Sequence, residues 1–283
     1  MTIRGCLAGV SVGDGLDVAV VGALNVSPES FYAGSVMAGA DDLLRAAEAM
    51  VTAGAALLDV GAMSTAPYLS TAISATEERD RLGAAVHLLA TKVSVPLSVD
   101  TSRAAPAEAA LDAGARIVND VRGLTADPDL ARVVARAEAG LILMASPRGG
   151  APETLPVEAV RGLLEESLAL ARDVGIPAER IAVDPGIGFF RSRAMAWHEW
   201  DCRILAGLTR LRELGRPICV GVSRKSFIGA VTGARDPAHR LPGSLAATAA
   251  AVLGGAHLIR THDVAETLQA VRVAHAIRDA GGK

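Results

Sequence analysis

The sequence predicts an α/β fold, a single-domain (β/α)8 barrel of the TIM type spanning residues 1–283, and three observations carry that expectation. Short aliphatic or β-branched runs alternate eight times with alanine-rich stretches of helical length. Those stretches repeatedly stop in glycine just ahead of the next strand, as a left-handed C-cap requires. Polar side chains follow nearly every strand, at the end where such barrels gather their active sites. A doubly wound open sheet is the competing architecture. No Ser/Gly or Pro-rich linker divides the chain, so one domain is expected.

The first strand, 18–24, leads into Asn25-Val-Ser-Pro-Glu-Ser-Phe31 and a helix over 41–53. A strand at 56–60 leads into Asp59-Val-Gly-Ala-Met-Ser-Thr-Ala-Pro67, followed by a helix at 76–90. Strand 96–99 ends at Asp100-Thr-Ser before helix 106–113, and strand 116–118 ends at Asn119-Asp120 before helix 129–139. Strand 140–144 runs into Met144-Ala-Ser-Pro-Arg148 and helix 158–173, and strand 181–183 into Asp184-Pro-Gly-Ile-Gly-Phe-Phe190 and helix 201–214. Strand 217–220 precedes Ser223-Arg-Lys-Ser-Phe227 and helix 244–253; strand 257–259 precedes Arg260-Thr-His-Asp263 and helix 264–278.

Composition removes several classes of function. Lys plus Arg is 28 against 31 for Asp plus Glu, a formal charge of -3, so nothing electrostatic points to nucleic acid or an acidic membrane. The N-terminal segment lacks the apolar core of a signal peptide, and the apolar stretch 244–259 is short and broken by Gly254-Gly255. It reads as a buried helix, a glycine stop and a strand. Cys6, Cys202 and Cys219 are far apart and in no C-x-x-C pattern, which suits a reducing, cytoplasmic setting. The six histidines form no H-E-x-x-H pattern, and dinucleotide, P-loop and G-x-S-x-G signatures are missing.

What the strand ends offer is recognition of a flat ring and of an anion. Asp100, Asn119 and Asp184 each follow an apolar run, so their stems are buried and their heads reach the barrel mouth. Carboxylates and a carboxamide there match the N–H and C=O edge of a pterin or purine. The competing reading makes them N-caps of the following helices. Ser223, Arg224 and Lys225, with Arg260 and His262 on the adjacent strand, form a site for phosphate or pyrophosphate. Asn25 offers a carbonyl oxygen to a hard cation such as Mg²⁺.

Taken in order, Asn25-Val-Ser-Pro-Glu-Ser-Phe, Asp59-Val-Gly-Ala-Met-Ser-Thr-Ala-Pro, Val99-Asp-Thr, Asn119-Asp, Asp184-Pro-Gly-Ile-Gly-Phe, Gly221-Val-Ser-Arg-Lys-Ser-Phe and Arg260-Thr-His-Asp-Val resemble the motifs of dihydropteroate synthases. The resemblance implies a (β/α)8 barrel and a pterin pocket formed by Asp100, Asn119, Asp184 and Lys225. It further implies a pyrophosphate site of Asn25, Arg260 and His262 with Mg²⁺, and an arylamine site near Thr65, Pro67, Phe189 and Ser223. Ser64, Met144, Gly221 and Arg224 are expected to complete the substrate contacts. The implied reaction joins 6-hydroxymethyl-7,8-dihydropterin diphosphate to an arylamine and releases pyrophosphate, in an enzyme that commonly works as a homodimer.

Two departures bear on the second substrate. Where family members usually carry Gly-Glu-Ser-Thr-Arg-Pro, this chain has Ala62-Met63-Ser64-Thr65-Ala66-Pro67, without the acid or the arginine. The usual Met-His-Met-Arg is Met144-Ala-Ser-Pro-Arg148 here, and the first loop reads Ser27-Pro-Glu-Ser-Phe31-Tyr32. The arylamine is therefore either p-aminobenzoate or a ribosylated aminobenzene phosphate of the tetrahydromethanopterin branch. The alternatives are a pterin-binding methyltransferase acting on a corrinoid protein and a non-catalytic pterin-binding homologue.

Overall fold

Period-two alternation decides which strand residues look into the barrel and which look out at the helices. In the computed structural model, which describes residues 2–26, 39–62, 73–147, 155–191 and 195–281, eight parallel strands form one sheet. They are β3 (Ala19–Asn25), β4 (Leu57–Gly61), β5 (Leu97–Asp100), β6 (Ile117–Asp120), β7 (Gly140–Met144), β8 (Ile181–Asp184), β9 (Cys219–Gly221) and β10 (Leu258–Thr261). The ladder runs β8-β7-β6-β5-β4-β3-β10-β9, and a single bridge, Val183 to Ile218, joins its two edges into a nearly closed barrel. All eight expected strands are present, within a residue or two of their expected bounds.

Helices separate the strands: α1 (Ala40–Thr52), α2 (Ala75–Ala90), α3 (Ala104–Ala113), α4 (Leu130–Arg136), α5 (Pro156–Asp173), α6 (Trp197–Ala206), α7 (Ser226–Thr232), α8 (Leu241–Leu253) and α9 (Val264–Gly281). Outward-facing Leu24, Leu58, Val60, Val99, Val118, Leu141, Leu143, Val183, Val220 and Ile259 pack with the helices in one large buried cluster. The expected glycine stops hold at Gly54 (φ +101°), Gly114 (φ +123°) and Gly215 (φ +65°). At 138–140 the detail differs. Glu138 itself takes the left-handed turn (φ +53°), and Gly140 opens β7, where a Cβ would meet the side chains of Ile117 and Leu7.

There are two further differences. The expected helix at 201–214 begins earlier, at Trp197, and passes at Gly207 into a 3₁₀ stretch from Leu208 to Leu214; Gly207 lies so close to α5 that a Cβ there would collide with Val157. The second is an unexpected antiparallel hairpin, β1 (Arg4–Leu7) and β2 (Val10–Gly13), which turns through Ala8 (φ +50°) and Gly9 (φ +89°). Its Leu7 and Val12 join Ala19, Val21, Leu57, Ile117, Ile142, Ala182, Cys219 and Leu258 inside the barrel, so the hairpin plugs the N-terminal end. Among the described residues no helix is long and apolar enough to cross a membrane.

Candidate active site

The hairpin fills the floor, and at the C-terminal ends of the strands the inward-facing positions turn polar. Asp59 of β4 is fully buried and lies at the centre. Its Oδ2 accepts Arg260 Nε at 2.6 Å and Asn119 Nδ2 at 2.9 Å, which ties β4, β6 and β10 together. Arg260 Nη2 also reaches Asp100 Oδ2 at 3.3 Å. One oxygen of each carboxylate, Asp59 Oδ1 and Asp100 Oδ1, is buried with no hydrogen-bond partner among the described residues, as is Ser98 Oγ, whose residue pairs with Asp59 in register. Buried acceptors without a partner call for an explanation, and a bound group carrying N–H donors is one that would satisfy them.

Burial sets the electrostatics. Desolvation raises the Asp100 carboxyl to about 7 against the pull of Arg260, and raises Asp184 to about 6 even though Asp184 Oδ1 accepts Gly186 N–H at 2.7 Å. Desolvation lowers the Lys225 ammonium to about 8, with Asp184 opposing the fall. Burial also works against the Arg260 charge, but Asp59 and Asp100 outweigh it and hold the guanidinium protonated well above its ordinary value. Lys225 Nζ donates to Ile187 O at 2.8 Å and lies 4.3 Å from the centre of the Phe189 ring.

His262 directly follows β10. Burial, with the charges of Arg260, Arg224 and Lys225, pushes its imidazole down to about 3, so it is neutral at physiological pH. Its Nδ1 lies 2.9 Å from Ser223 Oγ, which also accepts the His262 backbone N–H at 3.2 Å. That leaves the hydroxyl proton for Nδ1 and favours the tautomer with Nε2–H as a neutral donor.

Of the expected site residues, Asp100, Asn119, Asp184, Lys225 and Arg260 are brought together at one mouth, with Met144 and Gly221 ending β7 and β9 beside them. Gly221 pairs with Arg260 in register, and a Cβ on it would approach Arg260 Cβ at 3.7 Å. Asn25 ends β3, its Oδ1 close enough to contact a Cβ built on Gly61, the same point that Asp100 Oδ2 approaches. Arg224 is held by the protein's own groups. Although expected among the substrate contacts, it is buried at φ +53°, fastened to both oxygens of Asp263 at 2.9 and 2.7 Å, and donates to the carbonyls of Pro237 and Ala238. It braces the loop before α8 against the start of α9. Ser64, Thr65 and Pro67 lie outside the described residues.

The model of the pterin binding enzyme family matches residues 21–262. The dihydropteroate synthase of Synechocystis sp. is 36% identical over 266 residues, covering 91% of this chain and 89% of that protein. The chain belongs to the dihydropteroate synthase family. Among solved structures it is similar to the Clostridium difficile dihydropteroate synthase determined with pteroic acid (TM-score 0.84, 33% identity, 93% of this chain and 97% of that one). It is likewise similar to the Xanthomonas albilineans dihydropteroate synthase with 4-aminobenzoic acid (TM-score 0.86, 35% identity, 98% and 99%).

Within a dihydropteroate synthase framework, the residues that sequence reasoning left without a role are informative. Asp59 was visible as a lone acid in an apolar strand run, Leu57-Leu58-Asp59-Val60, a signal of a paired buried charge. Glu78, almost fully buried in the first turn of α2, accepts Thr101 Oγ1 at 2.6 Å and Arg103 Nη1 at 2.9 Å, holding α2 to the end of β5. Nothing local in the sequence distinguishes it from a solvated helix glutamate. For a cation, no group of three or more His, Cys, Asp or Glu side chains is placed to hold a metal among the described residues. The neutral hard oxygen of Asn25 suits Mg²⁺ that takes most of its shell from substrate and water.

Proposed function

We propose that the protein condenses 6-hydroxymethyl-7,8-dihydropterin diphosphate with p-aminobenzoate and releases pyrophosphate. The observation that carries this reading is the convergence of Asp59, Asp100, Asn119, Asp184, Lys225 and Arg260 on one mouth, where Asp59 Oδ1 and Asp100 Oδ1 are buried without a hydrogen-bond partner among the described residues. Asp100 and Asp184 accept the ring's N–H donors and, as the C–O bond to diphosphate breaks, offset the positive charge left on the pterin. Lys225 hydrogen-bonds the opposite edge of the ring. Arg260, kept charged by Asp59 and Asp100, faces the departing diphosphate, and His262 adds a neutral N–H. The amine needs placement rather than activation, and no covalent intermediate with the protein is required.

Asn25 is the residue we assign to Mg²⁺, which when bound would neutralise charge on the diphosphate. Exposed apolar side chains on the last helices, Leu253 of α8 with Val273 and Ile277 of α9, support a homodimer. The three free cysteines support a cytoplasmic setting. The decisive experiment mixes enzyme, Mg²⁺ and pterin diphosphate with p-aminobenzoate in one arm and the ribosylated aminobenzene phosphate in the other. Pyrophosphate release in the first arm is expected, release only in the second moves the protein to the tetrahydromethanopterin branch, and release in neither overturns the reading. Light scattering after gel filtration tests the dimer.

A further inference from the structure

Phe189 and Lys225 take their places from a turn, and the turn is gripped by α6. Asp201 is fully buried, and its Oδ1 accepts the Gly188 N–H at 2.8 Å. Gly188 stands at φ +85°, and a Cβ there would lie 2.9 Å from Lys225 Cδ, so the lysine stem is laid against bare backbone. The residue before it, Ile187, gives its carbonyl to Lys225 Nζ; the residue after it, Phe189, places its ring beside that ammonium. Next comes Phe190, buried and stacked at 5.3 Å on Trp200, the neighbour of Asp201 in α6. α6 thus holds the turn at one polar and one apolar point, and the polar one sits between the two residues that meet substrate.

We propose that Asp201 is a positioning residue for the transfer reaction: by holding the Gly188 N–H it sets where Lys225 and Phe189 stand relative to the pterin and the arylamine. A carboxylate is a costly choice for a helix residue whose only task is to fill a core. Burial raises its carboxyl to about 6, and its Oδ2 is buried with no partner among the described residues. An apolar side chain would pack there without that cost, but would leave the Gly188 N–H unmet and the turn free to relax. The inference rests on the function proposed above.

The test is steady-state kinetics on the full chain with both substrates, with melting temperature measured alongside. Asp201→Ala is expected to raise KM for pterin diphosphate and for p-aminobenzoate, with kcat/KM falling about 10- to 100-fold, the scale of a displaced binding group. Asp201→Asn, whose amide oxygen can still accept the Gly188 N–H, is expected to bring both KM values back within about threefold of wild type. Unchanged KM values in Asp201→Ala, whatever happens to its melting temperature, overturn the proposal. Should Asp201→Ala fail to fold, Asp201→Ser gives the same readout, its hydroxyl being one bond too short to reach Gly188; failure of both to fold while Asp201→Asn folds makes the residue structural and also overturns it. Wild-type protein that turns over no arylamine fails the functional reading itself, and the positioning role falls with it.

Discussion

Replacing Asp59 by alanine removes the one acceptor shared by Arg260 and Asn119. Breaking a buried ion pair by deleting one partner costs roughly 3–5 kcal/mol. Here Arg260 keeps Asp100 at 3.3 Å and its side chain is 21% exposed, which places the expected loss for this pair at about 2–3 kcal/mol. Asn119, only 4% exposed, is left with an unmet N–H, adding about 1 kcal/mol. The sum, about 3–4 kcal/mol, corresponds to a melting temperature lower by roughly 5–7 °C for a domain of this size. Because the same change frees the Arg260 and Asn119 heads, pterin binding should weaken together with stability, whereas Asp59→Asn, which keeps the volume and one acceptor, should lose less of both. Urea unfolding paired with calorimetric titration of pteroic acid separates the two effects. A stability loss under about 1 kcal/mol with unchanged pteroic acid affinity would refute the shared-acceptor argument.

Other outcomes follow from the same geometry. The log of kcat/KM should rise with pH as Asp184 (about 6) and Asp100 (about 7) ionise, and fall as Lys225 (about 8) loses its proton, giving a narrow maximum between pH 7 and 8; an acid limb near the ordinary carboxylate range would contradict the assigned roles. Arg224→Ala should cost about 3 kcal/mol of stability, read by chemical denaturation, by leaving Asp263 unpaired; a raised KM at unchanged stability would return Arg224 to the substrate contacts. Asp14, at the opposite end, accepts two bonds from Arg212 and one each from His257 and the Ile3 N–H, and the Arg212 bond above all holds its carboxyl far below the usual range. Its folded value lies below its unfolded 3.8, so its stabilisation is present above pH 3.8 and fades as the pH falls further. Asp14→Ala should lower the melting temperature at neutral pH without changing either KM, and a shifted KM would show that the barrel floor is coupled to the mouth.

The barrel was legible because its signals are local and repeated. Each strand is a short aliphatic run of three to seven residues, and glycine-ended helices punctuate them, so an error in one element would not have changed the architecture. Mouth residues were legible for a related reason: a polar residue directly after an apolar run has its stem inside and its head at the rim, as Asp100, Asn119 and Asp184 do. What was not legible depends on contacts far apart in sequence. Arg224 and Lys225 are adjacent, yet one turns to Asp263 and the other to Ile187, because the left-handed backbone at Arg224 reverses its direction. The hairpin at 4–13 was hidden because Leu7 and Val12 are its only deeply buried apolar anchors, too few to make a pattern. His262 was placed at the anion site from its position after the last strand, and only its burial beside Arg260, Arg224 and Lys225 shows that its imidazole is held neutral.

Charge at the mouth makes a demand that bears on the missing loop arginine. Asp59, Asp100 and Asp184 face Arg260 and Lys225, so acids and cations already offset one another among the described groups before any substrate enters, and burial favours the protonated form of Asp100. A diphosphate carries at least two negative charges into that balance, and the chain has alanine at position 66 where family members usually supply an arginine. Supplying compensating charge along with the substrate is the role we propose for Mg²⁺ at Asn25. Chelation should therefore reduce pyrophosphate release to background, and Mg²⁺ should restore it. Pteroic acid, which has no diphosphate, should bind with the same affinity with or without the metal. Full turnover in excess chelator, or pteroic acid binding that requires Mg²⁺, would show that the protein neutralises the leaving group by other means.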